Sequence, residues 1–502
     1  MKNISFFYVL ILGSLLVSCS ATGNLNYTPE RKYSAAQLRE DVEVMEKTLK
    51  DNHPSLYWYS SKEEIDASFQ KAYIRLTDSL NEIQFRTIVA ETLFPIRCGH
   101  TSVRFSKNYY NYIEGRRLKT FPLLAKITDD SSLVVTINLN RRDSVIRPGT
   151  PLLSINGFSA RSIIDSMLPL VSIDGNAKNF SYQNLSNNFT TYYNMRFGVQ
   201  NSYAVEFVGF NGVSRQLNLP VYDPQRDTTR RRPSVAATPA PTPPSPPTPT
   251  ITERERRLQR TRTFNIDSTG TFAVLRINSF GTSLSKHFLK KSFRQLQKKQ
   301  VNHLVIDVRN NGGGLIKTSL CLTRLVKQEP FTFADSIYAT HRKLRSDAKL
   351  YKRFIYNLGL FFLSKKQSDS MYVFKFFANK QYTPLKNKYN GQVYVLTGGY
   401  SFSATTLFAA AVKGQHNVTI VGEETGGGYY GNNGVFIPEM ILPNSKLRVR
   451  IPLYRIVNNT NYPKNGLGVL PDVEVKASAE SIRNNRDPKM DKTIELIMQR
   501  KS

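Results

Sequence analysis

From Tyr33 to about Pro95 the apolar residues recur at helical spacing. Leu38, Val42, Val44, Met45 and Leu49 follow one another mostly in steps of three and four, and Ser34 stands where a helix cap belongs. Residues 63–80 and 82–94 repeat the pattern. Between about Phe121 and Tyr222 the period shortens, and residues 121–127, 133–139, 151–155 and 203–210 read as strands. The third is entered from a Pro148-Gly149 turn and left through Asn156-Gly157, after which residues 160–168 read as a short helix. From Phe264 onward strands and helices alternate in the manner of an α/β domain. Residues 270–277, 301–308, 392–396 and 418–421 read as strands, and 285–298, 315–326 and 403–412 as helices. A Tyr/Phe/Lys-rich insertion separates Phe331 from Lys388 and includes residues 351–362. It reads either as a cap over a site or as a surface-seeking helix.

Composition divides the chain further. Eight of its 25 prolines lie between Pro233 and Pro249, where neither a ladder nor a helix can form. With the arginine runs on either side, 223–263 reads as an extended Pro/Arg-rich linker. The expected organisation is a helical region at 33–100, a β-rich domain at 120–222, that linker, and an α/β domain at 264–480. A length of 502 residues fits roughly three domains, and 40% hydrophobic with 21% charged residues excludes wholesale disorder. Lysine and arginine exceed aspartate and glutamate by 69 − 38 = +31. Such a field attracts any polyanion without choosing one, so it supports no specific nucleic-acid partner.

The first residues bear on compartment. Lys2 precedes an apolar run from Ile4 to Val17, too short for a stable membrane span, that ends Leu16-Val17-Ser18-Cys19. The ending resembles the lipobox of bacterial lipoproteins. That implies a signal peptide over 1–19, lipidation at Cys19, and a lipid anchor in the cell envelope. Ser20 after the cysteine is compatible with the outer membrane, facing the periplasm or the cell surface. The alternatives are a plain export signal with an incidental Cys19, or a buried core cysteine. Only Cys98 and Cys321 remain, too few for a disulfide framework, and none of the six histidines pairs with another at zinc-ligand spacing. Neither a metal nor a cofactor is expected.

Two turns in the α/β domain are built like parts of a site. In Val305-Ile306-Asp307-Val308-Arg309-Asn310-Asn311-Gly312-Gly313-Gly314 a buried strand runs into glycines that let backbone N–H groups face developing negative charge. In Val395-Leu396-Thr397-Gly398-Gly399-Tyr400-Ser401-Phe402-Ser403-Ala404 a strand ends in a Gly-Gly turn and a helix of small residues follows. A serine there has its hydroxyl exposed beside helix amides, as a nucleophile requires, although serine is also a common helix cap. The strand-turn-helix at 151–168 resembles the centre of PDZ-like domains, which add an extended peptide to a sheet edge.

Together, D-V-R-N-N-G-G-G, S-F-S-A-T-T-L-F-A-A-A-V and Gly422-Glu423-Glu424-Thr425-Gly426-Gly427-Gly428 resemble the C-terminal processing (tail-specific) serine peptidase family, whose relatives include the tricorn core protease. The resemblance extends through Gly468-Val469-Leu470-Pro471-Asp472. It implies a ClpP/crotonase-like α/β peptidase domain beside the helical region and the PDZ-like domain. It also implies polypeptide substrates, with a hint of C-terminal tails. The nucleophile falls on Ser403, and the oxyanion hole on the backbone N–H of Ala404 and of Gly312 or Gly313. In the best-known branch a lysine about twenty-five residues later is the base. Here Gly428 stands there, and no lysine lies between Lys413 and Lys446. The turn Arg97-Cys98-Gly99-His100-Thr101-Ser102 resembles the G-H-[ST] turn of the tricorn-like branch, which makes His100 the base. A third group to orient the imidazole stays unassigned among Glu423, Glu424, Thr101 and Ser102. The reading is a serine endopeptidase. Two alternatives are a catalytically silent polypeptide-binding scaffold of the same fold and an anion-binding surface protein driven by the net charge.

Overall fold

A computed structural model describes residues 27–129, 131–227, 252–281, 286–368 and 371–500. Cys19 and the whole Pro233–Pro249 stretch lie outside the described residues. Three capping boxes start the N-terminal helices. Ser34 with Gln37 opens Ala35–Asn52, Ser61 with Glu64 opens Lys62–Arg75, and Asn81 with Gln84 opens Glu82–Leu93. Each pairs two amide donors that a helix start leaves unsatisfied.

The α/β part is built on a six-stranded sheet. Its order is Arg262–Ile266, Phe272–Ile277, His303–Asp307, Gln392–Thr397, Val418–Gly422, Val473–Glu474, with the first pair antiparallel and the rest parallel. Helices Lys286–Lys298, Ile316–Val326 and Ala404–Val412 pack their apolar faces into one core with it, and Ile497 of Pro488–Gln499 closes a smaller one over Val305, Tyr394, Leu396 and Val421. Strands Leu123–Asp129, Ser132–Asn138, Pro151–Ile155, Ser202–Val208 and Ser214–Pro220 form an antiparallel sheet with its own core, closed by helices Ala160–Met167, Asn179–Asn187 and Phe189–Phe197.

Several elements differ from the sequence pattern. The end of the stretch read as linker is regular: helix Glu253–Thr261, capped by Thr252, runs into the edge strand Arg262–Ile266. The insertion is no appendage either. Ser336–Ala339 pairs with Tyr454–Val457, and Lys349–Leu350 with Glu439–Ile441. Val103–Arg104 pairs with Arg448–Arg450 from the far end of the chain. One hydrophobic core accordingly joins Leu38, Val42, Met45 and Phe69 of the N-terminal helices to Ile337, Leu350 and Leu360 of the insertion and to Met440, Val449 and Ile456. The last strands are short and interrupted by loops, so no alternation of useful length marks them in the sequence.

Candidate active site

The two glycine-bearing turns leave the carboxyl ends of adjacent parallel strands, where Asp307 is in register with Leu396. Ligand sites of open α/β sheets form at this edge. Hydrogen bonds join the turns. Ser401 Oγ donates to the Val308 carbonyl at 2.9 Å and the Phe402 amide to the Asn311 carbonyl at 3.1 Å. The first serine of the S-x-S group therefore holds the turns together. Asp307 pairs with Arg309 at 2.9 Å and Arg276 at 3.1 Å, and Arg309 reaches Asp487 at 2.6 Å, so the charges of the D-V-R run tie the sheet end to the C-terminal helix.

Ser403 precedes helix Ala404–Val412 with φ 58° and ψ −122°, and its side chain caps nothing. A left-handed φ at a non-glycine residue stores strain that the surrounding contacts must hold, and a strand-to-helix turn of this kind exposes its hydroxyl. Ser403 Oγ instead lies 3.1 Å from His100 Nε2, across 303 positions of sequence. Gly313, at φ +97°, packs directly beneath: a Cβ there would lie 2.8 Å from both Ser403 Cβ and the Phe402 carbonyl oxygen. Its amide, however, donates to Asn311 Oδ1 at 2.9 Å. In this conformation that N–H is paired inside its own loop, which favours Gly312 over Gly313 as the oxyanion donor. Among the described residues, exposed Gly312 and the first helical amide, Ala404, are the donors to which no such partner falls.

His100 reaches this place on a turn fixed from three sides. The Gly99 amide donates to Asp174 Oδ1 at 2.7 Å, the Gly175 amide to the Arg97 carbonyl at 2.9 Å, and the Arg450 amide to the Ser102 carbonyl at 2.9 Å. Next to it Thr101 Oγ1 lies 2.8 Å from His53 Nε2, while His53 Nδ1 accepts the Ser55 amide at 3.1 Å. The imidazole of His100 lies tilted against Phe402 with ring centroids 4.7 Å apart, and Phe402 stacks at 4.7 Å on Phe180. Burial, aided by the Arg450 charge, lowers the His100 pKa to about 3, so the ring is neutral near pH 7. Burial raises Asp174 to about 7, against the Gly99 and Gly428 N–H dipoles that favour its charged form. Asp174 Oδ2 and His100 Nδ1 are both buried without a hydrogen-bond partner among the described residues.

None of the groups weighed as third member touches that nitrogen. Glu423 pairs with buried Lys489, Glu424 accepts the Gly468 amide at 2.6 Å, and the Thr101 hydroxyl turns to His53. Lys489 also donates to the Thr397 carbonyl at 3.0 Å, and this buried lysine at the strand ends makes no hydrogen bond to Ser403. Sequence reasoning missed Asp174, His53 and Asn311. Asp174-Gly175-Asn176 reads as an ordinary turn, and its bond to Gly99 spans 75 positions. Asn311 was visible only as part of a glycine-rich run.

Residues 271–475 match the model of peptidase family S41. Three solved structures of CPAF share the fold across nearly the whole chain. Mature CPAF is 14% identical with a TM-score of 0.59, covering 89% of this chain and 94% of that one. Its complex with lactacystin is 15% identical at 0.60, covering 92% and 98%. A serine-to-alanine mutant is 13% identical at 0.60, covering 93% and 97%. No curated protein matches the chain. The family match is confined to residues 271–475, and the likeness to CPAF shows the fold: mixed α/β sheets with a helical N-terminal region.

Proposed function

We propose that the protein is a serine endopeptidase in which Ser403 attacks the peptide carbonyl and His100 is the general base. The observation that carries this is the 3.1 Å contact between Ser403 Oγ and His100 Nε2 at a strained strand-to-helix turn. The neutral imidazole takes the hydroxyl proton as the carbonyl is attacked and returns it to the leaving amine. The Ala404 and Gly312 amides hold the oxyanion. Substrates are polypeptides, bound near their C-terminal tails by a PDZ-like sheet within 120–222. Support for that domain comes from strand Pro151–Ile155 between its two turns and the following helix Ala160–Met167. The parallel strand-helix alternation of the S41 domain supports a ClpP/crotonase-like core. The chain is anchored in the cell envelope through lipidated Cys19, at the outer membrane facing the periplasm or cell surface; metabolic palmitate labelling lost in Cys19→Ala tests this.

One observation favours the second reading, a catalytically silent polypeptide-binding scaffold. Among the described residues His100 Nδ1 has no acceptor, and a base with a pKa of about 3 is weak until something stabilises its imidazolium. Fluorophosphonate labelling of wild type, Ser403→Ala and His100→Ala separates the two readings, with lactacystin, the ligand of the CPAF complex, as a second acylating probe. The peptidase reading expects labelling that both substitutions abolish. Folded wild type that labels no more than Ser403→Ala with either probe leaves the scaffold standing.

A further inference from the structure

Helix Arg353–Leu363 is apolar on both sides. Inward, Leu360 is buried, Tyr356 meets the Phe436 ring at 5.8 Å, and Gly359 approaches that ring so closely that a Cβ would lie 2.7 Å from it. Outward, Phe354, Ile355, Leu358, Phe361 and Phe362 are 77%, 59%, 46%, 54% and 58% exposed. Their spacing (i, i+1, i+4, i+7, i+8) is the stripe by which a helix ordinarily faces a core. Here it faces solvent, and Tyr351 and Phe376 are exposed as well, at 45% and 46%. A contiguous apolar face of this kind marks a binding surface.

The surroundings say what covers it. Between residues 342 and 380 the chain has ten Lys/Arg against two Asp/Glu, or 10 − 2 = +8. Lys352, Lys365 and Lys366 flank the two ends of the helix and are exposed. Arg342 lies over the Phe361 ring at 4.5 Å, and Lys375 Nζ donates to the Phe362 carbonyl at 2.7 Å. A second copy of this chain docking by two-fold symmetry would set the basic rim against itself. Eleven helical residues rise only about 16 Å, half of what a span requires. An apolar stripe with a basic rim suits the boundary between acyl chains and acidic headgroups.

We propose that helix Arg353–Leu363 docks in the plane of an anionic bilayer. Phe354, Ile355, Leu358, Phe361 and Phe362 enter the acyl boundary, and the lysines at its ends meet the headgroups. This surface is separate from any lipid on Cys19 and does not depend on the catalytic reading.

The chain has a single tryptophan, buried Trp58, so Phe361→Trp in the full chain reports on the helix itself. Vesicles of phosphatidylcholine with about 30% phosphatidylglycerol should shift its emission to the blue, and lipids brominated along the acyl chain should quench it about two-fold or more. Pure phosphatidylcholine should do neither, and adding Lys352→Glu, Lys365→Glu and Lys366→Glu should abolish both effects. Wild type supplies the Trp58 baseline, and Phe354→Trp is the second reporter should Phe361→Trp misfold. Absence of acyl-chain quenching on the anionic vesicles overturns the proposal, as does equal quenching on neutral ones. A blue shift that grows with protein concentration without lipid also overturns it, since a second copy then covers the face.

Discussion

The turn that carries Ser403 and the turn that carries His100 meet at 3.1 Å, yet they are held in place by different means. Around Ser403 the contacts come mainly from two adjacent strand ends, Ser401 on Val308, Phe402 on Asn311 and Gly313 beneath Ser403 itself, with the Gly426 amide on the Ser401 carbonyl at 3.1 Å from the next strand's loop. Around His100 little is local. Asp174, Arg450 and, one residue along, His53 come from three other parts of the chain. A nucleophile needs one backbone conformation, which a short motif can impose. A base needs only to arrive at the right point, and many scaffolds can deliver it.

The strongest test of the local half is Gly313→Ala. Its Cβ would press on backbone as well as on Ser403 Cβ, at φ +97°, so neither relaxation nor rotamer change relieves it. We expect a loss of kcat/KM of about 100-fold or more and a destabilisation of about 2–4 kcal/mol. Activity within about threefold of wild type would show that the turns are less tightly locked than their contacts imply.

The long-range half is tested by Asp174→Ala, which releases the Gly99 amide. We expect kcat/KM to fall about 10- to 100-fold, mostly in kcat, with partial rescue in Asp174→Asn, whose carbonyl still accepts that N–H. Equal losses in the two variants would mean that the bond to Gly99 does not position the histidine.

The pH dependence sharpens the same contrast. With its pKa near 3, His100 should give no acid limb in kcat/KM around the ordinary imidazole value of about 6.5. A limb there would place the base in a more polar environment than this. For stability the signs oppose. His100 and His53, both lowered to about 3, bind fewer protons folded than unfolded between about 3 and 6.5, so their contribution rises with pH. Asp174, raised to about 7, binds more protons folded, so its contribution falls as pH rises from about 4 to 7. Asp174→Asn removes that counterweight. Denaturant titrations between pH 4 and 6.5 should then show stability climbing more steeply, by about 1.4 kcal/mol per pH unit for one proton. An unchanged slope would mean Asp174 titrates normally.

The smallest effect is expected for Thr101→Val, which leaves buried His53 Nε2 without its partner. It should cost about 1–3 kcal/mol of stability and only a few-fold of activity. A larger loss of activity than Asp174→Ala would move the centre of support from Asp174 to His53.

What was legible from the residues alone followed range. Ser34, a helix start, the strands at 151–155 and 392–396, the glycine run and the Ser403 turn are all written within a dozen residues, because capping, periodicity and glycine content act over that distance. His100 was marked as a base by resemblance and by the missing lysine, while its distance from Ser403 was not. Tertiary structure alone decided that Gly313's amide is taken by Asn311, that Glu423 and Glu424 turn to Lys489 and Gly468, and that Asp174 holds the Gly99-His100 turn. It also decided that the insertion shares a core with the N-terminal helices while one face of helix Arg353–Leu363 stays open. Backbone conformation is set by neighbours along the chain. The partner of a side chain is set by whatever packing brings within 3 Å, and no local pattern encodes that.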